Sequence, residues 1–244
     1  MEKEVYKKMY EREDSFWWHD GMKKIIIMLL DAHFMNFRNN NILDAGCGTG
    51  GMLKTLSHYG NVFGVDASDD AVFYSKRRNI GKIIKAEAES LPFDGSFFDL
   101  IACFDMLYHN SVKSDIKALE EFKRVLKKGG ILLIREPAFD WLRGNIDKIM
   151  WTKHRYHKNE LVKKLENQGF AVLKISYANF FLFPLVLSFR LLETLFKKTS
   201  IENLFASNFL LNSILRRFLY LEARLLKFVN FPFGSSVYCL AKKK

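Results

Sequence analysis

Apolar positions along the chain fall into short strand-length runs separated by stretches with helical spacing. The runs Asn41–Asp44, Val62–Asp66, Lys82–Ala86, Phe98–Phe104, Ile131–Arg135, Ala171–Tyr177 and Ser235–Ala241 predict strands. Between them, Met52–Tyr59, Ala71–Arg78, Ile116–Leu126 and Asn159–Asn167 predict helices, the third stopped by Lys127-Lys128-Gly129-Gly130 and the fourth by Gly169. Strands alternating with helices imply an α/β fold, a parallel sheet covered by helices on both faces.

Two stretches break this rhythm. Residues 1–36 read as helical and aromatic, with Tyr6, Tyr10, Phe16, Trp17 and Trp18 ahead of the apolar stretch Ile25–Leu30. Residues 178–233 are helical in pattern and rich in Phe, Leu and Arg, and they separate two strands that a short connection would ordinarily join. Pro184 and Pro232 mark bends in it. The pattern divides the chain into an N-terminal aromatic helical segment (1–36), an alternating core (37–177), a helical insertion (178–233) and the last strand of the core (234–244).

Composition adds charge to this picture. The 244 residues carry a net charge of +11, and its placement is uneven. Residues 1–150 hold 22 Lys and Arg against 22 Asp and Glu, whereas residues 151–244 hold 16 against 5. A cationic surface there suits an anionic membrane, a phosphate-bearing partner or an acidic substrate. Cys47, Cys103 and Cys239 are dispersed and odd in number, which argues for a reducing cytoplasm and against a disulfide framework or zinc site. The charged N-terminus lacks the apolar core of a signal peptide, and no apolar run reaches the roughly 20 residues of a spanning helix. A cytoplasmic protein is expected, peripheral on the inner face of the membrane if the basic segment meets lipid.

The candidate chemistry begins at Asp44-Ala-Gly-Cys-Gly-Thr-Gly-Gly51, between a strand and a helix. Glycines at 46, 48 and 50 allow a sharp turn and close approach to a ligand, and the helix that follows presents free N–H groups. Asp66, at the next strand end, is placed to accept hydrogen bonds from ribose hydroxyls. Taken alone, the loop also satisfies the dinucleotide spacing Gly46-x-Gly48-x-x-Gly51, so a nicotinamide-dependent oxidoreductase stays open.

Five ordered segments narrow the choice: Ile42-Leu-Asp-Ala-Gly-Cys-Gly-Thr-Gly50, Gly64-Val-Asp-Ala-Ser68, Ala86-Glu-Ala-Glu-Ser-Leu-Pro-Phe93, Phe98-Asp-Leu-Ile-Ala-Cys-Phe-Asp-Met-Leu-Tyr-His109 and Glu121-Phe-Lys-Arg-Val-Leu-Lys-Lys-Gly-Gly-Ile131. Together they resemble the class I S-adenosylmethionine (SAM)-dependent methyltransferases, in the type 11 branch that includes ubiquinone/menaquinone-type enzymes. The resemblance implies a Rossmann-like seven-stranded sheet with helices on both faces, the helical insertion standing before its last strand, and SAM as cofactor.

It also implies roles. Gly46, Gly48 and Gly50 would line the methionine part of SAM with Ala45 beside them, and Asp44 would hold its ammonium group. Asp66, with Ala67 next to it, would bind the ribose. Glu87 stands where the family often has Asp and would meet the adenine amino group, with Ala88 against the ring. Phe104, on the loop after the fourth strand, would border the cofactor.

His109 is the candidate general base, because it follows the strand end where the methyl group should point; Tyr108 is a second candidate. Phe16-Trp-Trp-His-Asp-Gly21 resembles an aromatic segment that folds over the cofactor, which makes residues 1–36 a lid and Tyr10, Trp17 and Trp18 candidate substrate contacts. Relatives often carry Arg after that glycine, where this chain has Met22 and then Lys23. In His154-Arg-Tyr-His157, Tyr156 is a candidate catalytic group and His154 a candidate substrate contact; these two histidines lack an acidic partner at metal-ligand spacing.

The insertion carries the acceptor question. Leu210, Ile214, Leu215, Phe218, Leu221, Leu225 and Phe228 recur near helical spacing, with Arg216, Arg217, Arg224 and Lys227 among them. They fit a small or lipid-like acceptor, an anionic membrane surface, or a homodimer interface. The segment has no nucleic-acid-binding module, which disfavours an RNA methyltransferase. A non-catalytic SAM-binding protein is the remaining alternative.

Overall fold

The computed structural model describes residues 1–34, 40–196 and 209–244, with backbone alone at 192–196 and 209. Residues 35 and 36 of the N-terminal segment, 37–39 of the core and 197–208 of the insertion lie outside the described residues, as do the side chains of Leu192, Leu195 and Phe196.

Seven strands form one sheet: β1 (Asn41–Ala45), β2 (Asn61–Asp66), β3 (Lys82–Lys85), β4 (Phe98–Phe104), β5 (Leu126–Pro137), β6 (Phe170–Ala178) and β7 (Ser236–Lys243), in the order β3-β2-β1-β4-β5-β7-β6. Phe104 is the last residue of β4 and not part of the loop after it. The segment read as a helix stop is already strand. Leu126 pairs with Phe98, and after a bulge Ile131 pairs with Leu100.

The expectation of a parallel sheet is corrected at one strand: β7 runs antiparallel to both β5 and β6. The reason lies in where the connection returns. β6 ends at Ala178 and β7 begins at Ser236, and these residues are paired, as are Ser236 and Pro137 of β5. A chain that leaves one strand and enters its neighbour at the same end must run back the other way.

Nine helices are described: α1 (Lys3–Arg12), α2 (Trp17–His33), α3 (Leu53–Leu56), α4 (Asp69–Lys76), α5 (Asp115–Val125), α6 (Asn145–Ile149), α7 (Lys158–Asn167), α8 (Phe183–Phe196) and α9 (Phe209–Leu226). Local chemistry starts two of them. Ser68 Oγ accepts from Ala71 N–H ahead of α4, and Ser114 Oγ from Lys117 N–H ahead of α5. α3 is a single turn, shorter than the apolar spacing of Met52–Tyr59 predicts.

Adjacent strand residues serve opposite cores, so the central strands are buried on both sides and read as unbroken apolar runs. Ile101 and Leu132 join Phe122 of α5 and Leu161 of α7 on one face. Leu100 and Leu133 join Ile25 of α2, Leu53 of α3 and Leu219 of α9 on the other.

The second layer is held by a tight crossing of α2 and α9. A Cβ added at Gly21 would lie 2.7 Å from Leu219 Cβ, so only glycine lets the two helices approach this closely. Inward-facing Glu222 of α9 accepts N–H bonds from Asn179 and Phe181, fastening the turn that follows β6. Gly21→Val is expected to destabilise the fold by about 1–3 kcal/mol through overpacking. Urea unfolding would measure it, and an unchanged midpoint would remove this crossing from the account.

Candidate active site

The carboxyl ends of β1, β2, β4 and β5 open into a cavity of about 440 Å³, roofed by α1 and the start of α2. Its floor is the glycine loop. Gly46, Gly48 and Gly50 all have positive φ, at 74°, 53° and 83°. Their reasons differ. A Cβ at Gly46 would lie 2.7 Å from Met106 Cβ, whereas one at Gly48 would meet nothing within 4 Å. The space beside Gly48 is therefore room for a ligand.

Two carboxylates frame the loop. Asp66 accepts from Gly48 N–H at 3.0 Å and Ser68 N–H at 2.9 Å, so it shapes the turn while lining the cavity. Asp44 is 2% exposed, and its Oδ2 is buried without a hydrogen-bond partner. Burial first, then the nearby charges of Asp66 and Glu13, push its carboxyl up to about 7, with Arg135 opposing. An orphaned buried acceptor is costly unless a ligand supplies the donor, and an ammonium group is the donor this carboxylate fits.

Glu13 closes the loop from above. It accepts from Thr49 Oγ1 at 2.6 Å and from Arg78, whose Nε donates to Thr49 O at 2.7 Å. Gly51 makes room for it: a Cβ there would lie 2.6 Å from the Glu13 carboxyl carbon. Glu87 and Ala88 line the cavity beside Ala67 and Ser68.

At the other end, β4 turns sharply through Asp105 (φ 51°). Glu136, fully buried, accepts from the N–H groups of Met106, Leu107 and Tyr108 at 3.2, 2.9 and 3.1 Å. This turn sets Tyr108 and His109 on the cavity wall. The Arg135 guanidinium pairs with Asp105 and lies 5.0 Å from the Trp18 ring centroid and 5.5 Å from that of Phe104. His19 lines the same end, and burial with Arg135 and Lys23 nearby pushes it down to about 3, leaving a neutral ring.

His109 is neutral too, pushed down to about 4 chiefly by burial. Its Nδ1 lies 2.7 Å from Ser111 Oγ and 3.1 Å from Ser111 N, while Nε2 is buried without a hydrogen-bond partner. Trp151, at φ 53°, stacks on the His109 ring with centroids 6.0 Å apart. Burial raises the Tyr108 hydroxyl well above its usual range.

Of the residues expected at the site, the fold gathers Asp44, Gly46, Gly48, Asp66, Ala67, Glu87, Ala88, Phe104, Tyr108, His109 and Trp18 around the cavity. Ala45 and Gly50 lie just behind it, Ala45 buried in β1 and Gly50 packed toward Arg78 and Leu53. The other four are outside the lining. Tyr10 packs on Tyr74, and Trp17 donates its backbone N–H to Asn212. Tyr156 donates to Asp115 at 3.0 Å, within the core under α5 and α7. His154 bonds to Glu160 at 2.8 Å. Among the described residues no cluster of His, Cys, Asp or Glu is placed to hold a metal ion.

Glu13, Asp105, Arg135, Met150 and Trp151 line the cavity and were not singled out from the sequence. One signal for Arg135 and Glu136 was available: two charges closing an otherwise apolar strand, where unpaired charge is expensive.

Comparison with known proteins agrees with this geometry. Residues 43–134 match the family described as a methyltransferase domain. An uncharacterised protein of Methanocaldococcus jannaschii is 29% identical over 163 residues, 66% of this chain and 62% of its own. The ubiquinone/menaquinone biosynthesis C-methyltransferase UbiE of Citrobacter koseri is 37% identical over 110 residues, 41% of this chain and 43% of its own. The chain thus spans less than two thirds of the length of each of these relatives. The methyltransferase solved in complex with the Haloferax volcanii Trm112 activator superposes with a TM-score of 0.63 at 16% identity, over 97% of this chain and 92% of its own, a likeness of fold.

Glu136→Ala leaves three buried N–H groups unsatisfied and is expected to cost roughly 3 kcal/mol in urea unfolding. A loss below roughly 0.5 kcal/mol would mean that the turn after β4 holds without it.

Proposed function

We propose that this chain is a class I S-adenosylmethionine-dependent methyltransferase of the type 11 branch and transfers the methyl group of its cofactor SAM to a small or lipid-like acceptor, at oxygen or carbon. The observation that carries the reading is the buried, partnerless Asp44 Oδ2 beside the open space at Gly48. In this reading Asp44 holds the ammonium group, Asp66 the ribose hydroxyls, and Glu87 with Ala88 the adenine. When bound, SAM supplies a methyl group on a sulfonium already activated for in-line displacement.

The chain's own task is then to orient and to exclude water. Tyr6, Met9 and Glu13 cover one side of the cavity, and Trp18 with Met22 another. At the acceptor end Phe104, Met106, Met150 and Trp151 give an apolar, adaptable part beside the Asp105–Arg135 pair, which supports an acceptor with a greasy portion. Because burial leaves His109 a weak base, the site suits an acceptor that enters already nucleophilic. The C-methyltransferase name of the Citrobacter relative supports carbon as the atom methylated.

Calorimetry tests the cofactor site. The raised carboxyl of Asp44 must lose its proton to face an ammonium group, so SAM affinity should rise about tenfold per pH unit up to pH 7 and flatten above it. Asp44→Asn should abolish that slope. Asp66→Ala should weaken SAM binding by about 30-fold through loss of charged hydrogen bonds. Micromolar binding of NAD without binding of SAM would falsify the reading. The acceptor follows from labelled SAM incubated with cell extract: the label should enter the lipid or small-molecule fraction, and label confined to RNA would refute this acceptor class.

A further inference from the structure

Helix α9 is apolar on both sides. Its inner side, Leu215, Leu219, Ala223 and Leu226, is buried with α2 and the sheet. Its outer side is apolar and open: Leu210 is 70% exposed, Leu221 47% and Phe228, just past the helix end, 83%, with Ile214 and Phe218 between them. A helix that only covers a core needs one apolar stripe, and contiguous exposed apolar residues mark a contact surface. Positions 210, 214, 217, 221, 224 and 228 advance in steps of four and three, so exposed Arg217 and Arg224 share this stripe. The one acid of the helix, Glu222, turns inward to the backbone at Asn179 and Phe181.

That mixture decides between occupants. Two copies of the face in a symmetric pair would bring Arg217 and Arg224 toward their own counterparts with no acid on the stripe to offset them. An anionic bilayer offers phosphates to the guanidinium groups and acyl chains to Leu210 and Phe228. Among the described residues no helix is long and apolar enough to cross a membrane, so contact would be interfacial.

We infer that the outer face of α9 docks this protein on an anionic lipid bilayer, an inference that rests on the reading of the acceptor as lipid-like. The start of α9 is tied to the rim of the cavity. Asn212 Oδ1 accepts from Trp17 N–H at 3.4 Å, Tyr220 donates to Asp20 at 2.9 Å, and Arg216 pairs with Asp20 at 3.3 Å. Trp18 and His19, between those anchors, line the cavity. Docking on α9 brings that rim to the membrane surface, where an acceptor dissolved in lipid can enter.

The test is flotation of the full chain with phosphatidylcholine vesicles, with and without phosphatidylglycerol. Binding is expected only to the anionic vesicles, and it should weaken as salt rises. The double variant Arg217→Gln/Arg224→Gln should bind about 30-fold more weakly, from two surface cations lost. Leu210→Ser/Phe228→Ser should lose binding as well. Both variants should keep the wild-type melting temperature and SAM affinity, since none of these residues lines the cavity. Wild-type binding equal on both vesicle types, or undiminished in both variants, overturns the inference. So does a wild-type dimer that Phe218→Ser converts to monomer while vesicles go unbound, because a second copy then covers the face. SAM binding that persists alongside either result leaves the methyltransferase reading intact; its absence would count against that reading alone.

Discussion

A carboxylate buried without an ionic partner survives only where the chain brings donors to it, and at Glu136 the chain brings three. Its acceptance of the N–H groups of Met106, Leu107 and Tyr108 forces β4 to end in a tight turn instead of running on. That turn puts Asp105 where it can pair with Arg135 and faces Tyr108 and His109 to the cavity. Burial raises the Glu136 carboxyl well above its ordinary range, with the three N–H bonds opposing. Removing this one side chain would release both the wall and the anchor of the acceptor end.

The cofactor end repeats the device with different donors. Asp66 takes N–H groups from Gly48 and Ser68, and Glu13 takes the Thr49 hydroxyl and the Arg78 guanidinium. The glycine loop is thus gripped from β2 below and from the end of α1 above. Of these three acids, Asp44 is the one with a buried oxygen that has no hydrogen-bond partner. In the proposed function, that contrast separates carboxylates that hold the loop from the one that receives the cofactor's ammonium group.

The helical insertion changes the sheet as well as the surface. It returns at the strand end it left, so β7 runs antiparallel, and it lays α9 along α2, where Gly21 and Leu219 interlock. α2 in turn supplies Trp18, His19, Met22 and Lys23 to the cavity. A segment remote in sequence from the glycine loop therefore supports one of the walls around it.

The alternation of strand and helix, the seven strands and the loop at 44–51 were legible in the sequence, because periodicity and glycine placement are local properties of the chain. So were Asp44, Asp66 and Glu87, which sit at fixed offsets from the strand ends. The direction of β7 was not, since it depends on where a long excursion comes back. Nor could the sequence tell that Tyr156 and His154 turn away to Asp115 and Glu160 while Arg135, Glu13 and Trp151 turn in. Those choices are made by packing between segments far apart along the chain. The sequence alone determined what kind of strand ends and loop this protein has; tertiary structure decided which charges meet there, because the cost of burying a charge is set by neighbours that only the fold supplies.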